Sequence, residues 1–182
     1  MDEAGRGPLA GPVSAAAVIL PSDFDIGILD DSKAMSASAR EKAYGAIIAG
    51  AADWAIGFST VGEIGSMNIL GASLLAMRRA FACLVLRPEI VLADGNRLPW
   101  HDERLPPVHA IVKGDSLVPS IMAASILAKV ARDRVMDRLD AIEPEYGFAR
   151  HRGYPTPAHR LAIKKTGPSL WARPGFRLHD EG

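Results

Sequence analysis

The chain has 182 residues, 48% of them hydrophobic, with 21 basic and 21 acidic side chains and a formal net charge of zero. This length and apolar share suit one folded domain with a full core, and they exclude a disordered chain or a polyelectrolyte whose overall charge selects its partner. One cysteine, Cys83, excludes an internal disulfide and a cysteine-built zinc cage and fits a reducing, cytoplasmic setting, and no apolar run is long enough to span a membrane.

The chain opens on two adjacent carboxylates, Asp2 and Glu3, then an arginine between glycines, Gly5-Arg6-Gly7. Glycine lacks a Cβ, so a ligand can approach the backbone closely there, with N–H groups available to its oxygen atoms. This suits a charged site at a strand end, although an acid pair in isolation reads first as a solvated turn. Residues 13 to 20 are apolar and predict a strand that pairs back on the first through the turn at 7 to 12. The polar loop 29 to 33 leads into a helix capped by Ser36 or by Ser38, the latter with Glu41 as a capping box, ending near Ala49. A strand follows over 54 to 60. Thr60 and Glu63 then form a second capping-box pattern for a short helix, and 68 to 86 predicts a longer one with Leu70, Leu74, Met77, Phe81 and Leu84 on one face.

The second half alternates strand and helix more plainly. Residues 90 to 93 are an unbroken apolar run stopping at Asp94-Gly95-Asn96, and the strand at 108 to 112 stops at Lys113-Gly114-Asp115-Ser116. A long helix begins at Pro119, with Ile121, Ala124, Ala128, Ala131, Val135, Leu139 and Ile142 spaced by three and four; Ala123-Ala124-Ser125 are small enough to let it lie close on a sheet. From Tyr146 the chain is punctuated by Pro and Gly, with a short helix expected at 156 to 165. Between Tyr146 and His179 it carries seven Lys and Arg residues and no acid. The pattern predicts an α/β fold in one domain, with a core over about 1 to 142 and a basic segment over 143 to 182.

Acids thus stand at three strand ends: Asp2 with Glu3, Asp94, and Asp115. Taken singly, Asp94 suits a turn before Gly95 and Asp115 a turn or helix cap. Together, four carboxylates without His or Cys are hard oxygen ligands, suited to Mg²⁺ or Mn²⁺ rather than Zn²⁺, and like charges so placed repel unless a cation sits among them. Such a cluster points to phosphoryl transfer on a nucleotide or nucleic acid. The five histidines, at 101, 109, 151, 159 and 179, show no ligand spacing.

Seven segments resemble type 2 ribonuclease H, the bacterial ribonuclease HII, in order along the chain: 2 to 13, Asp31-Ser32-Lys33, Asn68-Ile69-Leu70, Asp94-Gly95-Asn96, Lys113-Gly114-Asp115-Ser116, 123 to 133, and 146 to 156. The resemblance implies a ribonuclease H-like fold, a central mixed sheet flanked by helices. It also implies an enzyme that hydrolyses the RNA strand of RNA/DNA hybrids and cuts at single ribonucleotides in duplex DNA; a monomer is expected, though nothing in the sequence fixes the oligomeric state. Asp2, Glu3, Asp94 and Asp115 match the family's catalytic, metal-binding acids. These would hold two Mg²⁺ or Mn²⁺ ions about the scissile phosphate, one activating water and one stabilising the leaving 3′ oxygen. Gly5, Arg6 and Gly7 match a loop that reads the ribose 2′-hydroxyl through its backbone, and Tyr154 a tyrosine that packs against the sugar. Ser32, Lys33 and Lys113 fall within matched motifs and are expected to contact substrate; Lys129 is a further candidate for phosphate. Asp133 matches a position outside the metal set, with a salt bridge to Arg132 or Arg134 as the simpler account.

Two features depart from the family. An apolar half-strand usually precedes the acid pair, whereas here only Met1 does, which leaves open a hybrid-binding homologue with impaired catalysis. In place of a tail run His-Arg-Arg-Ser-Phe, the chain has Trp171-Ala172-Arg173-Pro174-Gly175-Phe176, which puts phosphate contacts from that tail in question.

Overall fold

A computed structural model describes residues 1–32 and 34–176; Lys33, Arg177 and His179 lie outside the described residues. Strand β1 (Asp2–Ala4) pairs antiparallel with β2 (Val13–Ile19), which pairs antiparallel with β3 (Asp53–Ser59); β4 (Val91–Asp94) pairs parallel with β5 (Val108–Ile111). Met1 joins the two groups. Its nitrogen donates to the Leu92 carbonyl at 2.7 Å, and its own carbonyl accepts from Asp94 N–H at 3.0 Å, the slanted pattern of a parallel pair. The strands therefore run β3-β2-β1-β4-β5, a mixed sheet with β1 at its centre.

Helices cover both faces, and side-chain alternation along β2 decides which residue meets which helix. Val13, Ala15 and Ala17 face α2 (Val61–Ala82), meeting Ala72, Ala76, Met77 and Ala80. Ala16 and Val18 face α1 (Ala37–Gly50) and α3 (Pro119–Ile142), meeting Ile47, Ala123, Ala124 and Leu127. A third apolar cluster packs Met136 and Leu139 of α3 against Tyr146, Phe148 and Ile163, anchoring α4 (Phe148–His151) and α5 (Pro157–Thr166).

Several expectations shift. Ser36, not Ser38, caps α1, accepting from Ala39 N–H. The Thr60/Glu63 capping box forms, but the helix it starts continues to Ala82 with a break at Asn68, whose φ is 64°. There the Asn68 side chain accepts from the N–H groups of Leu70 and Gly71, re-capping the second half. The buried stripe of that half is Ala72, Ala76 and Ala80 with Met77 and Phe81, while Leu70 and Leu74 are only partly buried. The stripe expected along α3 drifts, because 3.6 residues per turn carries the buried face from Ala128 to Arg132 and Met136; Ile142 ends 61% exposed.

The alanine stripe lets α2 lie close on the sheet over Gly57. A Cβ built there stands 2.3 Å from the Ala76 carbonyl oxygen and 2.6 Å from Ala80 N, both main-chain atoms. Gly57→Ala is expected to lower the unfolding free energy by about 1–3 kcal/mol, read as a lower urea midpoint with unchanged m-value.

Candidate active site

The sheet brings three of the four acids together. Asp2 on β1 and Asp94 at the carboxyl end of β4 are neighbours because Met1 pairs with β4, and Asp115 arrives on the 3₁₀ turn Gly114–Ser116 just after β5. One carboxylate oxygen from each lies within 4.8 Å of the other two. Asp115 N–H donates to Asp94 Oδ1 at 3.3 Å, tying the turn to the strand end. Glu3 is next to Asp2 in sequence, and alternation along β1 turns it to the α2 face. It lines a hollow with Asp94, Leu70, Ser73 and Arg97, and Arg6 Nη1 approaches its carboxylate at 3.3 Å.

Burial shapes the electrostatics of this cluster. Asp2 is 4% exposed, and desolvation, reinforced by the charges of Glu3 and Asp94, pushes its pKa up to about 8. Glu3 is also raised, chiefly by burial, with Arg6 acting against the shift. Asp2 accepts from the Ser125 hydroxyl of α3, and Ser125 Oγ meets Ser32 Oγ at 2.7 Å. Ser32 is thus buried behind the acid rather than presented to solvent, at 2% exposure.

A cavity of about 210 Å³ opens beside the cluster, lined among others by Asp2, Asp94, Gly5, Arg6, Gly7 and Tyr154. Tyr154 is 42% exposed, and its ring lies 3.4 Å from where a Cβ on Gly7 would stand. Beneath it, His151 and His159 stack with ring centroids 4.4 Å apart, and His159 Nδ1 meets the Tyr154 carbonyl at 3.0 Å. Lys113 is exposed and left-handed at φ 59°, at the entry to the Asp115 turn. Lys129 lines the cavity with its ammonium held by Asp133 at 2.6 and 2.8 Å. Asp133 also draws Arg40 and Arg152 within 4.0 Å, so among the described residues its ion-pair partners are these three and not Arg132 or Arg134; Arg134 pairs with Glu41.

Sequence reasoning passed over three residues that shape the site: Ser125, Arg132 and Arg173. The first two had a signal, since Ser125, Lys129 and Arg132 fall at i, i+4 and i+7 and form a polar stripe on one face of α3. Arg173 had none, because the groups it meets are more than 160 residues away in sequence.

Comparison with known proteins bears on the family and the fold. The profile of the family described as Ribonuclease HII matches residues 1–179. The ribonuclease HII of Shewanella loihica is 49% identical over 177 residues, covering 97% of this chain and 85% of that protein. The ribonuclease HII of Cupriavidus pinatubonensis is 52% identical over 181 residues, covering 97% and 81%. Among solved structures, ribonuclease H2 from Pyrococcus horikoshii OT3 superposes with a TM-score of 0.76 at 29% identity, over 97% of this chain and 92% of that one. A chain of the PCNA:RNase HII complex from Archaeoglobus fulgidus gives 0.74 at 27%, over 100% and 95%. A match that runs through nearly the whole chain, in sequence and in fold, makes the protein a member of the ribonuclease HII family of metal-dependent nucleases.

Proposed function

We propose that the protein is an endoribonuclease that hydrolyses the RNA strand of RNA/DNA hybrids and cuts at single ribonucleotides embedded in duplex DNA, leaving 5′-phosphate and 3′-hydroxyl ends. The observation that carries this reading is one cavity in which the acids Asp2 and Asp94 meet the Gly5-Arg6-Gly7 loop and Tyr154. A phosphate at the acids places the adjoining ribose against the loop and the tyrosine ring, where a 2′-hydroxyl distinguishes RNA from DNA.

Asp2, Asp94 and Asp115 fit Mg²⁺ or Mn²⁺, since all three offer hard oxygen atoms within 4.8 Å and the burial that raises Asp2 calls for a compensating cation. Glu3, beside Asp94 on the other face, extends the set toward a second ion. Bound there, the two ions would lower the pKa of an attacking water and offset the charge that develops on the phosphate and the leaving 3′ oxygen. The water oxygen bonds to phosphorus as the bond from phosphorus to O3′ breaks, and O3′ takes up a proton. Ser125, backed by Ser32, orients the Asp2 carboxylate; Tyr154 packs on the sugar; Lys113, exposed at the entry to the Asp115 turn, would meet a phosphate there.

The alternative, a homologue that binds without cutting, depends on a first strand too short to fix Asp2. The pairing of Asp2 opposite Ala16 and the two Met1 bonds to β4 hold that strand on both edges and favour the catalytic reading.

Duplex DNA containing one ribonucleotide should be cut 5′ to or at that nucleotide's phosphodiester in Mg²⁺ or Mn²⁺, and a folded sample inactive in both metals sinks the reading. Asp94→Asn is expected to lower kcat more than about 100-fold with a smaller effect on duplex affinity. Tyr154→Ala should reduce cleavage at the junction about tenfold or more, in line with the worth of base and sugar stacking, and unchanged rates would remove its role.

Asp2 also makes stability depend on pH in the metal-free protein. Its carboxyl titrates near 8 when folded and near 3.8 otherwise, so the folded state holds the proton more tightly. The stability it contributes is full below the lower value and is lost as pH rises toward the upper one. In chelator, Asp2→Asn should therefore gain on the original protein as pH rises from 5 to 7, by up to about 1.4 kcal/mol per pH unit. Saturating Mn²⁺ should reverse that gain, and a difference that stays flat in urea denaturation contradicts the burial effect.

A further inference from the structure

Arg132 and Arg173 are each only 1% exposed, and no carboxylate lies within ion-pair distance of either among the described residues. Their N–H groups go instead to main-chain carbonyls, all but one of them in the short segment 5 to 12. Arg173 donates from Nη2 to Gly5 at 2.6 Å and Pro12 at 3.1 Å, from Nη1 to Arg6 at 3.0 Å, and from Nε to Gly11 at 2.8 Å. Arg132 donates from Nε to Pro12 at 2.9 Å, from Nη2 to Ala10 at 3.1 Å, and from Nη1 to Arg152 at 2.9 Å.

This bonding dictates where the loop's own N–H groups point. Every peptide bond here is trans, and in a trans peptide the C=O and N–H lie on opposite sides. Drawing the Gly5 and Arg6 carbonyls inward to Arg173 therefore turns the N–H groups of Arg6 and Gly7 away from it, toward the cavity that Gly5, Arg6, Gly7 and Tyr154 line. Neither N–H has a main-chain or side-chain acceptor among the described residues. A cation bonded to a carbonyl also polarises the peptide unit, strengthening the same unit's N–H as a donor. Gly5, at φ 96°, has no room for a side chain, since a Cβ would stand 2.0 Å from Arg132 Nε. Through the Arg152 carbonyl, Arg132 also holds the chain two residues before Tyr154, and Leu9 N–H donates to the Gly153 carbonyl beside it.

We propose that Arg132 and Arg173 are positioning residues for ribonucleotide recognition: the two guanidinium groups aim the Arg6 and Gly7 amides at the ribose 2′-oxygen and hold Tyr154 in register with them. The inference rests on the reading of this loop as the 2′-hydroxyl reader and goes beyond it by naming what sets its geometry. It also gives the altered tail a role, because Arg173 faces inward to the loop rather than outward to phosphate. A lysine cannot substitute, since an ammonium lacks the planar fork of five donors that reaches four carbonyls at once.

A purely structural role would lower thermal stability without changing discrimination between RNA and DNA, and the test separates the two. In an Asp94→Asn background, fluorescence anisotropy gives the affinity for two duplexes identical except for one ribonucleotide. Arg173→Lys and Arg132→Lys are expected to lower the ratio of the two affinities about tenfold, the worth of a charge-assisted contact network, while affinity for the all-DNA duplex holds. A folded variant that retains the ratio overturns the proposal. Should both variants fail to fold, amide resonances of the unsubstituted loop decide: the ribonucleotide duplex should shift the Arg6 and Gly7 N–H signals beyond the all-DNA duplex, and equal shifts overturn the proposal. A protein that discriminates but never cuts defeats only the catalytic reading. Cutting at ribonucleotides with an undiminished ratio in Arg173→Lys defeats only this inference. No discrimination in the background protein itself removes the reader and the proposal together.

Discussion

The site depends on β1 being paired along both edges. Three residues long, it is held antiparallel by β2 on one side and, through Met1, parallel by β4 on the other. A slip of one residue in either ladder would exchange Asp2 and Glu3 between the faces of the sheet and break up the three-acid cluster. The buried surroundings of β1 raise the cost of bare charge there. The same desolvation that makes Asp2 hard to ionise is what a cation among the carboxylates would offset.

One helix supplies much of the support behind these groups. Along α3, Ser125 meets the Asp2 carboxylate, Lys129 reaches Asp133, and Arg132 holds the carbonyls of the loop that follows β1. Ser14 of β2 donates to the Ala128 carbonyl at 2.8 Å, so the helix is bonded to the sheet at the level of the site. Small residues at 123, 124 and 128, all fully buried, permit that close approach. The acids are thus carried by the sheet and the turn that follows β5, while Ser125 and Arg132 of the helix packed on it, joined by Arg173 of the tail, brace Asp2 and the adjoining loop.

The C-terminal region illustrates how charge in a sequence divides into distinct jobs. Its cations form an acid-free run from Tyr146, which on composition alone resembles a single phosphate-binding surface. In the structure Arg173 is buried against main-chain carbonyls, with its pKa pulled down to about 9 mainly by desolvation, and Arg152 pairs with Asp137 and Asp133. Two of the run's histidines, His151 and His159, stack on each other, and His159 meets the Tyr154 carbonyl. These side chains build and hold a surface, and they differ in that from the exposed lysines of α5.

The order of strands and helices, the Thr60/Glu63 cap, the placement of Asp2, Asp94 and Asp115 at or just after strand ends and the all-oxygen character of their side chains all follow from the sequence, because each depends on neighbours within a few residues or on the chemistry of one side-chain type. Which acids meet, which serine caps α1, which cations pair with Asp133, and where Arg132 and Arg173 send their donors were decided only by tertiary structure. These contacts join positions 5 and 173, or 2 and 94, whose approach is set by strand order and by the packing of α3 on the sheet. No local period records such an approach. A guanidinium in the sequence carries the same charge whether it meets water, phosphate or a buried carbonyl, and only the folded chain determines which of these it finds.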